Sequence, residues 1–574
     1  MKLENFNNLI ELFFYQTEKQ NPKSILLQWL NPNNKKSFTW EETKLNIFKL
    51  SKTLKENVKE GDRCLLVSEN RPEWFISDLA IMLSGAITVP AYTTYTNNDY
   101  KYLIEDCEPK IVIVSNNDML KKLNTTINEK NFIKKIITFD EVAKAYHNLN
   151  IDNKEKYLDF NSIIKNDLSE KDKIQNLNLK RSSTACIIYT SGTGGNPKGV
   201  ILSHGGILNN LEGACEIMKP LIDSRPVFLT WLPLSHSYEH TVQFAQIAVG
   251  AKVFYAEKIE KLLDNMAEAK PTIMTAVPRF YQNLYNKINI NMKKQTGFKA
   301  KLIQETIRLG KKKLLKEKMT FFEKLLNLML NVLVRKKIRK QFGGKLRAFV
   351  SGGGALDKEI GEFLNSIGLP TLQGYGLTET SPVVSCNPIH NIKVETVGPP
   401  FKGNKIKISE DGEILVKGEN VMLGYWNQKE ETANVIKDGW LHTGDIGEIN
   451  PEDGYLKITD RKKDIIVSAG GDNISPAKIE NIITNEAEID QCVVYGDKKN
   501  YLVALIVPNK KFLKEKINNI IENINKKLTQ VEKIKKIQLI DENFSIENGL
   551  LTPTMKVKRK KVTEKYKKEL ENLY

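Results

Sequence analysis

The chain has 574 residues, more than one hydrophobic core usually serves, so we expect at least two folded units. Its content of 41% hydrophobic and 27% charged residues is ordinary for a soluble globular enzyme and excludes a disordered or collagen-like chain. The net charge of +17 comes from lysines spread along the chain, which usually form a solvated surface, so we do not expect nucleic acid as a partner.

The N-terminal part predicts neither export nor membrane insertion. The first residues include early acids and no small-residue cleavage site, which indicates a cytoplasmic location. The longest apolar stretch, AIMLSGAITVPAY from Ala80, is short and interrupted by polar residues and a proline, so it predicts no transmembrane helix. The cysteines form no CxxC pair and the histidines no HxxxH or HExxH pattern, which argues against a disulfide framework or a structural transition metal.

Short apolar runs that end in turn residues alternate with helical segments through the first half of the chain. They predict strands at 63–69, 110–116, 134–140, 184–190, 227–234, 251–257, 271–278 and 346–354. This alternation predicts a parallel α/β fold, in which ligands bind at the carboxyl ends of the strands. Predicted strands end in loops of small residues at 191–195, 351–354 and 374–376, where such a fold would hold a nucleotide.

Residues 291–345 alternate clusters of Lys and Arg with helically spaced Leu, Phe and Met. This is the pattern of a helix that can lie on an anionic bilayer, which would bring the protein into peripheral contact with the inner face of the membrane. The alternative is an amphipathic helical hairpin packed on the body of the protein.

The pattern changes near Phe401, where an alternating β pattern begins around a Glu-Asp-Gly turn. Short strands and Lys-rich helices follow. We therefore predict a large N-terminal α/β domain with a β-rich part, residues 1–459, and a small α+β domain, residues 460–574. The boundary is placed at the charged run that starts with Asp460.

The stretch YTSGTGGNPKGV, residues 189–200, predicts a phosphate-binding loop. Its hydroxyls, its glycines and one lysine together suit a polyphosphate, because the glycines let backbone N–H groups turn inward. It is not a Walker A motif, since the lysine precedes its glycine. The candidate ligands are Thr190, Ser191, Gly192, Thr193, Gly194 and Lys198. The alternative is a flexible Gly-rich hairpin without a ligand.

Later segments carry further candidates. In GYGLTETSP, residues 374–382, Tyr375 can stack on a purine, Thr378 can contact a phosphate oxygen, and Glu379 is a hard carboxylate suited to Mg²⁺. Asp445, in GWLHTGDIGEI, is placed between turn residues where it can take ribose hydroxyls, and Arg461 follows in ITDRKKDII. For Glu379 the alternative is a surface or helix-capping carboxylate.

With YTSGTGGNPKGVILSH, LPLSHSYEH, SGGGAL, GYGLTETSP, GWLHTGD, DRKKDIIV and NGLLTPTMKVKRKKV in this order, the chain resembles the adenylate-forming superfamily of acyl-CoA synthetases, luciferases and peptide-synthetase adenylation domains. The resemblance runs from about residue 37 to the C-terminal tail. Within the superfamily, PTIMTAVPRFYQNLYNKI, DRKKDII and NGLLTPTMKVKRK look most like long-chain fatty acid–CoA ligases, which also carry an insertion where residues 291–345 stand.

The resemblance implies a two-step reaction. ATP and a fatty acid give acyl-adenylate and pyrophosphate, and the thiol of coenzyme A then displaces AMP; Mg²⁺ is implied with ATP. It also implies that residues 190–194 and Lys198 hold the β and γ phosphates, that Glu379 binds Mg²⁺ and that Thr378 contacts the α-phosphate. The residues implied at adenine and ribose are Gly353, Gly354, Gly374, Tyr375, Gly376, Asp445 and Arg461. Lys463 matches the hinge position of the family.

The resemblance places two further residues at the reacting carboxylate. His236 would lie beside it, with a packed core histidine as the alternative. The catalytic lysine of the family lies in a Pro-x-Thr-x-x-Gly-Lys pattern, and the tail here reads PTMKVK from Pro553. With Val557 taken in place of the glycine, the pattern predicts Lys558, with Lys556 as the alternative; a solvated basic helix would need neither.

Other interpretations stay open from the sequence. The chain can be a ligase for another carboxylic acid, or one that loads the thiol of an acyl carrier protein. It can also be a non-catalytic nucleotide-binding or lipid-binding regulator on the same fold, or a basic nucleic-acid-binding protein, although the last would leave the loops unexplained.

Overall fold

The computed structural model describes residues 2–32, 35–140, 154–173, 178–190, 196–510, 512, 514–552 and 555–574. Its strands are β1 (Ile25–Trp29), β2 (Ser37–Thr39), β3 (Arg63–Val67), β4 (Ile87–Ala91), β5 (Ile111–Val114), β6 (Lys135–Thr138), β7 (Tyr157–Asp159), β8 (Thr184–Thr190), β9 (Lys198–Ser203), β10 (Val227–Thr230), β11 (Lys252–Tyr255), β12 (Ile273–Ala276), β13 (Ala348–Ser351), β14 (Thr371–Gly376), β15 (Val383–Cys386), β16 (Lys405–Ile408), β17 (Glu413–Lys417), β18 (Gly424–Tyr425), β19 (Ile436–Lys437), β20 (Trp440–Ile449), β21 (Leu456–Arg461), β22 (Ile466–Val467), β23 (Asn473–Ile474), β24 (Ile489–Tyr495), β25 (Leu502–Pro508) and β26 (Ile534–Leu539).

The α-helices are α1 (Leu9–Lys19), α2 (Trp40–Lys55), α3 (Pro72–Leu83), α4 (Asn97–Cys107), α5 (Asn117–Glu129), α6 (Phe160–Ile163), α7 (His204–Met218), α8 (Ser237–Ala248), α9 (Leu262–Ala269), α10 (Pro278–Lys293), α11 (Gly297–Leu314), α12 (Phe321–Leu330), α13 (Lys336–Lys340), α14 (Lys358–Ser366), α15 (Lys429–Val435), α16 (Pro476–Thr484), α17 (Ile517–Asn525), α18 (Arg559–Lys565) and α19 (Lys567–Glu571).

Two large sheets form the centre of the part of the chain that the structure describes. The first has the order β18-β9-β8-β4-β3-β5-β6-β7, and its strands from β8 to β7 are parallel. The second has the order β15-β14-β13-β12-β10-β11-β1-β2, and its strands from β14 to β1 are parallel. The predicted α/β fold class is confirmed, and a strand lies within each of the predicted runs.

One hydrophobic core joins the two sheets. It contains Leu66 of β3 and Val253 of β11, one from each sheet, together with helices α3 and α8. Phe75 of α3 and Phe244 of α8 meet there at a ring distance of 5.6 Å. Every residue of α3 is buried, because this helix lies inside that core. The sheets are therefore held as one body, and the strand ends that carry the site have fixed relative positions.

A smaller antiparallel sheet of β16, β17, β20, β19 and β21 follows along the chain. The C-terminal part is built on β24, β25 and β26, with α16 and α17 in the core on one face and α18 and α19 in the core on the other. The chain thus has a large N-terminal domain and a smaller C-terminal domain. The exact boundary at residue 460 stays a prediction.

Two local predictions are wrong. Residues Gly374 to Gly376 do not form a loop after a strand; they belong to β14 and pair with β15. Glycine is needed at Gly376 because an added Cβ would collide with the carbonyl of Pro382. Asp445 likewise lies within β20 and pairs with Arg461 of β21, instead of standing in a turn.

The basic region 291–345 is helical, as its pattern indicates. Helix α11 packs on α14, and an added Cβ at Gly310 would collide with the backbone of Ser366. Helix α12 continues through a π-helical turn, Asn331–Arg335, into α13. The buried Arg335 donates to the carbonyl of Thr306 at 2.9 Å and so ties this second arm to α11. Within the described residues, no helix has the length and apolarity needed to cross a membrane.

Candidate active site

A large cleft opens at the carboxyl ends of the second sheet. Its volume is about 3890 Å³. Residues that directly follow β10, β12, β13 and β14 line one side, and residues of β20, β21 and the C-terminal part line the other. This is the position that parallel α/β topology gives to a ligand. Most of the residues that the sequence singles out lie in this cleft.

The expected phosphate-binding stretch joins β8 to β9. Thr190, the last residue of β8, pairs with Lys198, the first residue of β9. Ser191, Gly192, Thr193 and Gly194 lie outside the described residues. The ammonium group of Lys198 contacts the carboxylate of Glu431 and lies 5.0 Å from the centre of the Tyr425 ring. The two described ends of this stretch therefore line the cleft and present a hydroxyl and a positive charge to it.

Tyr425 also connects this lysine to Glu379. Its hydroxyl donates to Oε1 of Glu379 at 2.9 Å. Burial raises the pKa of Tyr425, and the charge of Glu379 adds to the effect, so the phenol remains a donor. Thr378, next in the chain, has its hydroxyl 3.1 Å from that of Ser237. A carboxylate, an ammonium group and the hydroxyls of Tyr425, Thr378 and Ser237 thus all line the cleft.

Asp445 is the centre of a second cluster. It is 5% exposed. The Tyr375 hydroxyl donates to its Oδ2 at 2.7 Å, and Nε of Arg461 donates to its Oδ1 at 3.0 Å. Burial is the largest single influence on the pKa of Arg461 and lowers it, but the charge and hydrogen bond of Asp445, together with the charges of Asp464 and Glu379, raise this pKa overall. A carboxylate can accept about four hydrogen bonds, so Asp445 keeps capacity for a ligand while its orientation is fixed.

Two glycines follow β13 at the floor of the cleft. Gly353 has φ +79°, a conformation that glycine adopts without strain. An added Cβ at Gly354 would lie 3.4 Å from the ring of Pro278. Their neighbour Gly352 is held more closely, because a Cβ there would lie 2.8 Å from the Tyr238 ring. The backbone here can approach a flat ligand closely, since no side chain intervenes.

His236 caps helix α8 and lines the cleft. Its Nδ1 accepts a hydrogen bond from the backbone N–H of Tyr238 at 3.1 Å. Burial and then the positive charge of Lys556 lower the pKa of His236 to about 3. The ring is therefore neutral at physiological pH. Because Nδ1 accepts, the proton is on Nε2, which is a donor for a ligand.

The loop before α18 carries both candidate lysines, and both line the cleft. Met555 has φ +66°, the left-handed conformation that glycine adopts most easily. The backbone N–H of Met555 donates to the carbonyl of Thr552 at 2.9 Å, and that of Thr552 donates to the carbonyl of Lys556 at 2.8 Å. A register with Met555 at the glycine of the family pattern would make Lys556 the catalytic lysine. The choice between Lys558 and Lys556 stays a prediction.

The electrostatic surroundings of the two lysines agree with this register. Lys556 interacts with Arg461, Asp445 and His236, and its exposed surface faces the cleft that it lines. Burial and then the charge of Arg461 lower the pKa of Lys556 to about 8.

Lys558 interacts instead with Lys561 and Asp99. The structure thus brings Lys556, and not Lys558, to the two clusters of candidate residues.

Lys463 lies in the turn that follows β21. The backbone N–H of Lys462 bonds to the carbonyl of Gly444 at 2.9 Å, and the Lys462 ammonium lies 2.6 Å from Asp411. Lys462 is thereby tied to β20 and to the turn before β17. The backbone N–H groups of Asp464 and Ile465 bond to the carbonyl of Arg461, so Lys463 lies within a closed turn. Its role as a hinge stays a prediction.

The sequence reasoning missed Tyr425 and Tyr238. Tyr425 lies in a stretch that was interpreted only as β structure, and its partner Glu379 is brought near by tertiary folding. Tyr238 lies two residues after His236, and its hydroxyl donates to the carbonyl of Val350 at 3.2 Å. Its position two residues after His236 was the one sequence signal that could have identified Tyr238 as a residue of the cleft.

Apolar side chains also line the cleft. Several of them come from α7, α8 and the strands of the second sheet: Ala214, Ile217, Met218, Val242, Ala245, Phe228, Ile273 and Val350. Burial of a hydrocarbon chain against such side chains is favourable.

Comparison with known families covers almost the whole chain. A family model described as AMP-binding enzyme matches residues 14–426, and one described as AMP-binding enzyme C-terminal domain matches residues 463–574. The long-chain-fatty-acid–CoA ligase FadD15 of Mycobacterium tuberculosis is 31% identical over 558 residues, which are 90% of this chain and 88% of that protein. Long chain acyl-CoA synthetase 3 of Arabidopsis thaliana is 30% identical over 588 residues, with coverages of 93% and 86%.

Solved structures share the fold. The anthranilate CoA ligase AuaEII in complex with anthranoyl-AMP matches with a TM-score of 0.76 and 19% identity, over 98% of both chains. The A-PCP didomain of carboxylic acid reductase from Segniliparus rugosus, in complex with AMP, matches with a TM-score of 0.76 and 20% identity, over 99% of this chain and 82% of that one. At these identities the likeness concerns the architecture.

Proposed function

The chain belongs to the family of AMP-binding enzymes, and we propose that it activates long-chain fatty acids to acyl-CoA thioesters through an acyl-adenylate. Curated relatives of about 30% identity carry the names of long-chain acyl-CoA ligases. The observation that carries the proposal is the convergence of Lys556, His236 and the Asp445–Arg461 pair on one cleft that apolar side chains also line.

In the first step an oxygen of the fatty carboxylate attacks the α-phosphorus of ATP, and the bond to pyrophosphate breaks. Two anions must approach each other, so catalysis depends on positioning and on charge neutralisation. We assign Lys556 to the space between the carboxylate and the α-phosphate, where negative charge concentrates. His236 donates from Nε2 to the carboxylate, and Thr378 contacts the α-phosphate.

The other end of ATP is assigned to the hairpin of β8 and β9. Lys198 and Thr190 would bind the β and γ phosphates with the connecting loop. Glu379 suits Mg²⁺, since this ion is usually held by one or two carboxylates together with substrate phosphates. Bound there, the ion would neutralise charge on the phosphates and the departing pyrophosphate.

The nucleoside is assigned to the Asp445 cluster. Asp445 would accept hydrogen bonds from the ribose hydroxyls, and Arg461 and Tyr375 hold its carboxylate in place. The ring of Tyr375 then offers a stacking surface for adenine. Gly353 and Gly354, with Gly374 and Gly376 of β14, leave room for the base beside the backbone.

In the second step the thiol of coenzyme A attacks the acyl carbon and AMP leaves. The two steps need different groups at one site, and a rotation of the C-terminal domain can supply them. We propose the domain boundary at residue 460 and the pivot at Lys463. An acyl carrier protein thiol in place of coenzyme A is the alternative for this step.

We also propose that the protein works in the cytoplasm and contacts the membrane surface through α12 and the turn after it. The large apolar side chains on one side of this segment are exposed to solvent: Phe321 76%, Phe322 80%, Leu325 51%, Leu328 66%, Met329 52% and Val332 59%. Exposed lysines lie before, within and after it, at Lys318, Lys324, Lys336, Lys337 and Lys340. An apolar face bordered by positive charge fits an anionic bilayer. Packing of α11 on the body is compatible with this contact, because the α12 face points away from that packing.

The reaction is tested by pyrophosphate release in the presence of ATP and Mg²⁺ with a panel of carboxylic acids. We expect release only when an acid is present, with palmitate far more effective than acetate. A panel in which acetate or an aromatic acid is the best substrate would contradict the long-chain assignment. No release with any acid would favour a non-catalytic nucleotide-binding or lipid-binding protein.

A further inference from the structure

Two side chains of α10 donate hydrogen bonds to the C-terminal domain. Nη1 of Arg279 donates to the backbone carbonyl of Asp490 at 2.8 Å. The side-chain amide of Gln282 donates to the backbone carbonyl of Thr484. Arg279 and Gln282 are three residues apart, so they lie on the same face of the helix.

Both acceptors are carbonyls that secondary structure leaves open. Thr484 is the last residue of α16, and the last carbonyls of a helix have no partner within it. Asp490 lies at a bulge in β24, an edge strand of its sheet. Both carbonyls can therefore accept from a donor outside the domain, and α10 supplies one at each place.

A third contact lies beside these two. Asn485, which follows α16, lies near Asp357, the N-cap residue of α14, and its side chain opposes the rise that burial causes in the pKa of this carboxyl. The end of α16 and the start of β24 thus rest on a surface made by α10 and α14. These bonds exist only in the present orientation of the C-terminal domain, because a rotation of that domain would separate the two partners of each bond.

We infer that Arg279 and Gln282 are positioning residues for the first step, because they hold the C-terminal domain in the orientation in which Lys556 reaches the cleft. The inference rests on the proposed function. Lys556 belongs to the same domain as α16 and β24, and in this orientation it interacts with His236 and Arg461. Neither Arg279 nor Gln282 is assigned to a reacting atom. Loss of these two hydrogen bonds lowers the fraction of molecules whose C-terminal domain is in the orientation needed for adenylation.

The test compares the two steps in the double variant Arg279→Ala/Gln282→Ala. Pyrophosphate release measures the first step, and conversion of synthetic acyl-adenylate with coenzyme A measures the second. We expect the first step to slow about tenfold or more, the loss typical of one charged hydrogen bond, while the second step is unchanged or faster. The matched control is Arg347→Ala. It removes an exposed arginine that pairs with Asp223, and it should change neither step.

An equal loss in both steps, or no loss in either, would overturn the inference. Arg279→Gln and Gln282→Glu are milder single changes, to be used if the double variant does not fold.

A second readout is independent of catalysis: the rate at which trypsin cleaves the native protein after Lys463, measured by mass spectrometry. Faster cleavage in the variant than in the wild type supports the inference, and equal cleavage opposes it. Failure of the wild type to release pyrophosphate would instead contradict the proposed function.

Discussion

The ammonium group of Lys556 interacts electrostatically with the imidazole of His236. Burial and then the positive charge of Lys556 lower the pKa of His236 to about 3. One residue belongs to the large domain and the other to the C-terminal tail. The pair combines an ammonium group with a neutral donor at the position assigned to the fatty carboxylate. Their relationship exists only while the two domains are in this orientation.

Lys556→Ala should nearly abolish the first step. Preorganised charge of this kind is commonly worth about 3–4 kcal/mol, or roughly 10²–10³ in rate. The variant should still convert synthetic acyl-adenylate and coenzyme A to thioester, because the adenylate already carries its leaving group. Lys558→Ala is the matched control. If it abolishes pyrophosphate release while Lys556→Ala does not, the register with Met555 at the glycine position is incorrect.

The first step should depend on pH through Lys556. The surroundings lower the pKa of Lys556 from its ordinary value to about 8, so the group is charged below that pH and loses its charge above it. We expect kcat/KM for pyrophosphate release, which reports the free enzyme, to fall as the pH rises through this region. Lys556→Arg, if active, should move the fall to higher pH. An unchanged profile in that variant would assign the titration to another group.

Ala245→Phe should shorten the preferred acyl chain. Ala245 lies on α8 and is one of the apolar residues that line the cleft. A benzyl group there would occupy space that the hydrocarbon needs, and each methylene excluded from an apolar site costs about 0.8 kcal/mol. The ratio of rates on palmitate and on a medium-chain acid should fall sharply, while the melting temperature shows whether the fold is intact. A ratio equal to that of the wild type would place the hydrocarbon elsewhere.

Lys463→Pro should impair the second step and leave the first largely intact, whereas Lys556→Ala should impair the first step. A pivot must change its backbone dihedral angles, and proline fixes φ near −65°. We expect thioester formation to fall far more than adenylate formation. Measuring both half-reactions on one preparation decides the matter, since a parallel loss of both would mean that the pivot lies at another residue.

Phe321→Ser/Phe322→Ser/Leu328→Ser should weaken binding to vesicles that contain anionic lipid. The wild type should bind them more strongly than neutral vesicles and lose binding as salt is added, because ions screen the lysine contacts. Co-sedimentation measures both effects. Val531→Ser, which removes an apolar side chain that is 43% exposed in the C-terminal domain, is the control. Equal binding of the wild type to neutral and anionic vesicles would contradict an electrostatic contribution.

The local sequence pattern was sufficient to predict the strands and to select most of the residues that line the cleft. This succeeded because parallel topology brings the carboxyl ends of neighbouring strands together. The pattern was insufficient where a neighbour in space decides the local structure. The sequence pattern predicts a loop at Gly376, yet this glycine is a strand residue whose lack of a side chain admits Pro382. The positive φ of Met555, which favours a register with Lys556, is likewise set by the turn and not by a residue type that seldom adopts it.

Tertiary contacts decided the rest. The sequence pattern of the basic region does not show that α11 is packed and that α12 is exposed, since both helices have apolar and charged faces. That division depends on Gly310, which lets α11 approach Ser366 closely. The pairing of Arg279 with Asp490 joins residues of two domains and is invisible to any local pattern.

The exposed side of α12 also affects how the protein behaves in concentrated solution. Two molecules that meet through this side bring lysines together, and the resulting repulsion keeps them apart at low ionic strength. Added salt shortens the range of that repulsion but leaves the attraction between Phe321, Phe322 and their counterparts intact. If α12 contacts lipid as proposed, we expect the salt that detaches the protein from lipid to favour its self-association, so that ionic strength would not improve colloidal stability and membrane release together.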